Sequence, residues 1–260
     1  MKISADPTPR MLRNIKLVVA YDGSEFSGWQ VQPDAATIQG TLASAIGRIT
    51  GKKVLPQGSG RTDAGVHALA QVASFTTESP IPSENLLKAL NDILPPAIRV
   101  FEATEMPGDF HARHSARSKT YRYRIYRGAI CPPFLARYVW HYPYPLDEDA
   151  IAQAASYFVG GHDFTSFAAV DPERDSKAEI SNVRSISKSE CAKVGQELLY
   201  EVRGNGFLHH MVRNIVGTLI LVGKGTLQAE DVSIVLEKRN RAAAGATVPP
   251  NGLYLVSVEY

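Results

Sequence analysis

The order of the predicted secondary-structure elements constrains the fold of this chain more than any other sequence feature. A β-rich run over residues 15–21 ends at the turn signal Asp22-Gly23. A helix is predicted from Thr37, and its apolar positions Ile38, Leu42, Ile46 and Ile49 share one face. Further elements are two strands beside residues 58–68, a helix over 86–94 with Ser83 as N-cap, and a strand over 98–103. This order is that of the split βαβ unit of ferredoxin-like domains.

The same order of elements is predicted a second time, after a junction around residues 104–118. The elements are a strand over 119–126, a helix over 147–159, strands over 183–189 and 197–202, helices over 207–222 and 229–238, and a strand over 253–260. The predicted fold class is α+β, with two ferredoxin-like (RRM-like) halves whose antiparallel sheets are flanked by helices. We expect a flexible leader over 1–13, an N-terminal half over 14–112 and a C-terminal half over 113–260, joined around a central basic cleft.

Composition indicates a globular protein of the cytoplasm. Hydrophobic residues make up 44% and charged residues 21% of the chain, as in proteins with buried cores. Its longest uncharged apolar run, residues 215–222, is too short to cross a bilayer, and residues 1–14 lack the apolar core of a signal peptide. The two cysteines, Cys131 and Cys191, form no disulfide framework and no zinc-type spacing.

Residues 58–68 place three glycines and several reactive side chains between two predicted strands. Arg61 and Asp63 are two positions apart, so both side chains can lie on one side of an extended loop and form an ion pair. Two interpretations are open from the spacing alone: a glycine-rich hairpin with a surface salt bridge, or an active loop.

Residues 110–128 contain six Lys or Arg residues, two His and no acid. Alternation along the predicted strand puts Tyr121 and Tyr123 on one face and Arg122 and Arg124 on the other. Cations neutralise phosphates and aromatic rings stack on unpaired bases, which favours a nucleic-acid surface. The alternative is a solvated edge strand whose tyrosines belong to the core.

The predicted helix over 207–222 has apolar pairs around about half its circumference and is therefore expected to be largely buried. Arg213 lies just beyond this apolar face, and a partly buried arginine needs a partner. A carboxylate elsewhere in the second half would serve. His209 and His210 are expected to be packing or hydrogen-bonding residues.

Six segments, in the same order as in the family, resemble the tRNA pseudouridine synthases of the TruA type. The most specific is GRTDAGVHA, residues 60–68. The others are YDG and FSGWQ (21–23, 26–30), FHAR (110–113), KTYRY (119–123), FLHHMVRN (207–214) and AGATVPPNGLY (244–254). Together they cover residues 14–260 and are far more specific than any single motif.

The resemblance implies a cofactor-free isomerisation of uridine at positions 38, 39 and 40 of the tRNA anticodon arm, by a homodimer. It implies that Asp63 is the catalytic residue, as nucleophile or as base, that Arg213 is its ion-pair partner, and that Tyr121 stacks on the target base. Substrate-binding residues implied by motif position are Arg61, Arg113, Tyr121, Arg122 and Leu253. Two alternatives remain: a non-catalytic RNA-binding or RNA-folding protein, and a synthase that acts on another RNA.

Overall fold

The computed structural model describes residues 11–170 and 181–260. These residues form ten β-strands and five α-helices, so the α+β class is confirmed. Their contacts divide the chain into two units. The first runs to Ala64 and continues over Ala68–Ala116; the second comprises Gly65–His67 and Arg117–Tyr260. The predicted domain boundary after residue 112 stays a prediction.

In the first unit, four strands and two helices follow one another in the predicted order. They are β1 (Arg13–Tyr21), α1 (Ile38–Thr50), β2 (Gln57–Gly58), β3 (His67–Thr77), α2 (Ser83–Ile93) and β4 (Ile98–Met106). Antiparallel pairing gives the strand order β4-β1-β3-β2. This is the order expected when each βαβ crossover packs its helix on the sheet, as in a ferredoxin-like domain.

The limits of α1 and α2 follow from local chemistry. Thr37 caps α1, because its side-chain oxygen accepts a hydrogen bond from the Gly40 N–H, and Gly51 ends the helix with a φ of 73°. The N-cap of α2 is Pro82, and no side chain caps that helix, so the prediction of Ser83 as N-cap was wrong. Ser83 is instead the first helical residue.

The second unit contains six strands and three α-helices. They are β5 (Ser118–Tyr126), β6 (Trp140–His141), α3 (Glu148–Ser156), β7 (Gly160–Asp163), β8 (Val183–Val194), β9 (Glu197–Gly204), α4 (Met211–Gly223), α5 (Asp231–Lys238) and β10 (Leu253–Glu259). The strand order β10-β5-β9-β8 repeats the order of the first unit, and β7 extends it at the edge. β6 pairs with β5 in parallel and is the single parallel pairing described in this unit. The prediction of two α+β halves of similar plan is confirmed.

Some predicted boundaries differ from the observed ones. The helix predicted from residue 207 begins at Met211, because His210 has a left-handed backbone with a φ of 57° that cannot continue a helix. In the predicted leader, residues 1–10 lie outside the described part, and β1 already begins at Arg13. Among the described residues, no helix is both long enough and apolar enough to span a membrane.

A close backbone contact attaches α4 to the segment before β10. A Cβ atom on Gly217 would lie 1.9 Å from the Ala246 carbonyl oxygen, and one on Gly245 would lie 2.3 Å from the Gly217 carbonyl carbon. Only glycine allows this approach. Next to it, the buried Asn214 accepts hydrogen bonds at Oδ1 from Arg241 and from Thr247 Oγ1.

We expect Gly217→Ala to destabilise the protein although alanine favours helices. The gain in helix propensity, about 1 kcal/mol, is outweighed by the overlap with Ala246, because overpacking costs about 1–3 kcal/mol or more. Gly161→Ala is the control, since a Cβ there has no other atom within 4 Å. Chemical denaturation measures both. Equal free energies of unfolding for the two variants would contradict the proposed role of this contact.

Candidate active site

The residues of the most specific motif form the loop between β2 and β3. Its start is fixed by the Ser59 N–H, which donates to the Val72 carbonyl of β3 at 2.7 Å. Its middle is fixed by the Thr62 carbonyl, which accepts from the Trp29 N–H at 3.0 Å. Trp29 is buried, so this bond is shielded from water. The loop is therefore attached to the preceding loop that carries the FSGWQ motif.

Gly28 allows these two loops to approach. Its φ is 87°, and a Cβ atom there would lie 2.6 Å from the Thr62 carbonyl oxygen. Both the backbone conformation and the lack of space exclude other residues. A glycine is therefore required one residue before Trp29, in the loop that carries the FSGWQ motif.

Exposure alternates along residues 61–63. Arg61 is exposed, Thr62 is buried and Asp63 is half-buried. Thr62 Oγ1 lies 2.8 Å from the Tyr21 hydroxyl oxygen. Burial raises the pKa of Tyr21 to about 12, so its hydroxyl remains protonated at neutral pH. Thr62 thus anchors the loop in the core, and Asp63, the next residue, is half-buried.

In the second unit, Tyr121 and Tyr123 lie on the buried face of β5. Tyr121 is 7% exposed, and its ring meets Phe207 edge to face with the centroids 4.9 Å apart. Tyr123 is fully buried, and its hydroxyl donates to the Pro249 carbonyl at 2.7 Å. Burial raises the pKa of Tyr123 far above its usual value.

The two arginines of β5 lie on the opposite face and are paired with acids of β9. Arg122 Nη2 lies 2.7 Å from Glu201, and Arg124 contacts Glu197 through two nitrogens at 2.7 Å each. Burial alone would raise the pKa of Glu201, but hydrogen bonds from Lys188 and Arg122 lower it overall. The sequence did not reveal these partners, because the acids belong to a strand about 75 residues later that lies beside β5 only in the folded sheet.

Arg213 lies in the first turn of α4. Its Nε donates to the Val248 carbonyl at 2.8 Å, which ties the helix to the loop that precedes β10. Leu253 begins β10, is buried, and pairs in register with Tyr123. The second unit therefore brings Arg213, Tyr123 and the 248–253 segment together. Because Asp63 belongs to the first unit, its ion pair with Arg213 stays a prediction.

Arg113 and the pair His209–His210 each contact residues of their own unit. Arg113 is exposed, and its N–H donates to His111 Nδ1 at 3.1 Å. Burial, then the charges of His114 and Arg113, lower the pKa of His111. The rings of His209 and His210 are tilted by 35° with their centroids 3.9 Å apart, and His209 Nδ1 lies 3.0 Å from the Val170 carbonyl oxygen.

Asn214 ends the FLHHMVRN motif but had no role predicted from the sequence; it is fully buried and links α4 to Phe167 and to the 241–247 segment. The sequence does contain a pattern that points to this residue. Asn214 is a polar residue between the apolar pairs Met211-Val212 and Ile215-Val216, and a buried polar residue is retained only where its hydrogen bonds are satisfied.

Comparison with known proteins identifies the family. A family model described as tRNA pseudouridine synthase matches residues 17–115 and 154–260. The chain is 54% identical to the tRNA pseudouridine synthase A of Solibacter usitatus, over 96% of this chain and 100% of that protein. It is 45% identical to the protein of the same name from Caldicellulosiruptor bescii and 46% identical to that from Anoxybacillus flavithermus, each over 96% of this chain.

The crystal structure of a Cbf5-Nop10-Gar1 complex contains a chain that matches this one at 14% identity and a TM-score of 0.32. That match covers 79% of this chain and 53% of the other chain. The identities with the full-length relatives confirm the resemblance inferred from the six motifs. The chain belongs to the tRNA pseudouridine synthase family, whose members are isomerases that act on tRNA.

Proposed function

We propose that the chain isomerises uridine to pseudouridine at positions 38, 39 and 40 of the tRNA anticodon arm, with Asp63 as the catalytic residue. The observation that carries this proposal is the fixed loop of the first unit. Thr62 is held through both its carbonyl and its hydroxyl, and the neighbouring Asp63 is half-buried. A carboxylate on a rigid support that a substrate can reach is what a positioned nucleophile or base requires.

The reaction rearranges one nucleoside and needs no second substrate. The bond between C1′ of the ribose and N1 of uracil breaks, the base turns, and a bond forms between C1′ and C5. The proton on C5 is released to solvent and N1 gains one, so atoms and electrons balance. Asp63 acts in its ionised form, either by attack on the ribose or by removal of the 2′ proton. In the proposal, the Arg213 guanidinium lies beside this carboxylate as its ion-pair partner.

The target uridine has to leave its stack, which costs a few kcal/mol. Tyr121 is proposed to offset that cost by stacking on the displaced base, and Leu253 to border the base. The exposed Arg61 and Arg113 are proposed to contact phosphates. Arg122 would have to exchange Glu201 for a phosphate, so its contribution to binding is expected to be the smallest of the three.

The chain is further proposed to act as a homodimer in the cytoplasm. Motif resemblance to the TruA type supports this part of the proposal. Sedimentation equilibrium at micromolar concentration and low salt is expected to give the mass of two chains. A monomer under those conditions would contradict it.

The substrate proposal is tested by tritium release from C5-labelled uridine. Three anticodon stem-loops, each with labelled uridine only at position 38, 39 or 40, are compared with a stem-loop labelled only at another position of the same loop. We expect release from the first three and none from the fourth. Release from none of them would contradict the proposal, and release only from ribosomal or messenger fragments would assign the enzyme to another RNA.

We expect Tyr121→Ala to impair the reaction more than Tyr121→Phe does. The phenylalanine variant retains the ring, whereas the alanine variant loses a stacking contribution of about 1–3 kcal/mol. Tyr126→Ala is the matched control, because Tyr126 lies on the same strand and is 8% exposed. The measurement is kcat/KM per folded molecule. Wild-type kcat/KM in the Tyr121→Ala variant would contradict the stacking role.

A further inference from the structure

Gln71 is a polar residue in the middle of β3, and it is completely buried beneath the loop that carries Asp63. Its carboxamide oxygen accepts from Ser59 Oγ at 2.6 Å and from the Val72 N–H at 3.2 Å. Its amide nitrogen donates to the Gly60 carbonyl at 3.0 Å and, at a longer 3.5 Å, to the Tyr21 hydroxyl oxygen. A glutamine amide has two donors and two acceptor sites. All four are used, so the orientation of the amide is fixed.

These contacts reach three of the four loop residues that precede Asp63. Gln71 bonds directly to Ser59 and to the backbone of Gly60. The Tyr21 hydroxyl oxygen, which accepts from Gln71, lies 2.8 Å from Thr62 Oγ1, and either oxygen can be the donor in that hydrogen bond. Ser59 and Gln71 are wholly buried, and Thr62 and Tyr21 nearly so. Hydrogen bonds in such a dry, fully satisfied network are stronger than the same bonds in water.

We propose that Gln71 is a positioning residue for the isomerisation: it fixes the backbone of residues 59–62 and thereby the place of the Asp63 carboxylate. The proposal rests on the proposed function of Asp63. Gln71 does not need to touch the RNA. Its effect is on the geometry of the reacting groups, for which a displacement of about 1 Å can cost about 10²-fold in rate.

The amide of Asn91, also in the first unit, lies away from the loop that carries Asp63 and serves as a comparison. Asn91 of α2 donates to the Val100 carbonyl at 2.7 Å and accepts from the Val100 N–H at 3.0 Å. These bonds join α2 to β4, which lies at the end opposite β2 in the first unit's strand order β4-β1-β3-β2. Asn91 therefore makes comparable hydrogen bonds with no contact to the loop, and it provides a matched control.

The first test compares Gln71→Met with Asn91→Leu. Single-turnover tritium release from a saturating anticodon stem-loop is measured together with the Kd for that RNA and the melting temperature. We expect Gln71→Met to lower the single-turnover rate by about tenfold or more with an unchanged Kd. Asn91→Leu should lower the melting temperature and leave the rate unchanged.

The second test uses Gln71→Glu, which preserves the shape of the side chain. Burial raises the pKa of a glutamic acid. Its neutral form can still donate to the Gly60 carbonyl and accept from Ser59, whereas the ionised form cannot donate. The single-turnover rate relative to wild type is therefore expected to be highest at low pH and to fall as the introduced carboxyl ionises.

The outcomes separate this inference from the proposed function. If wild type releases no tritium, the proposed function fails. If wild type is active and Gln71→Met has the same single-turnover rate, the positioning role fails while the function stands. If Gln71→Met does not fold, the pH dependence of Gln71→Glu decides. A rate ratio for Gln71→Glu that does not change with pH, or failure of both variants to fold, would assign Gln71 a purely structural role and overturn the proposal.

Discussion

Thr62 is attached to the first unit through its backbone carbonyl, which binds the Trp29 N–H, and through its hydroxyl, which contacts Tyr21. Both partners are buried, so water does not compete for either bond. Gly28 makes the carbonyl bond possible, because any side chain there would meet the same oxygen. The half-buried carboxylate of Asp63 follows directly in the chain. The position of the Asp63 backbone is thus set by the core of the first unit.

The two faces of β5 in the second unit have different surroundings. The buried face presents Tyr121 and Tyr123 toward Phe207 and the segment that precedes β10. The other face carries Arg122 and Arg124 in cross-strand pairs with acids of β9. These pairs are partly exposed, so each contributes little to stability. They neutralise two of the six cations that made this stretch resemble an RNA surface, and an ion pair with Glu148 neutralises a third, Arg127. Tyr121 and Tyr123 are buried in the core, as the alternative interpretation expected, so the nucleic-acid surface stays a proposal.

The fold was predictable because periodic patterns act locally and the order of elements restricts the topology. Both units have the strand order of a split βαβ unit, as the sequence predicted. The start of α4 was not predictable, because the left-handed backbone of His210 interrupts a pattern that is apolar on both sides of it. The role proposed for Gln71 was also hidden. A single glutamine in a strand has no periodic signal, and its four partners come together only when β1, β3 and the loop are assembled.

We propose that Asp63 performs the chemistry on a support that the first unit fixes. The most direct measurement is tritium release from an anticodon stem-loop labelled at C5 of its position-39 uridine, with wild type and with Asp63→Asn. This substitution preserves the size and shape of the side chain but removes its charge and replaces one acceptor oxygen with a donor NH2 group. We expect Asp63→Asn to bind the RNA with the wild-type Kd and to release no tritium above background. Release at the wild-type rate would contradict it.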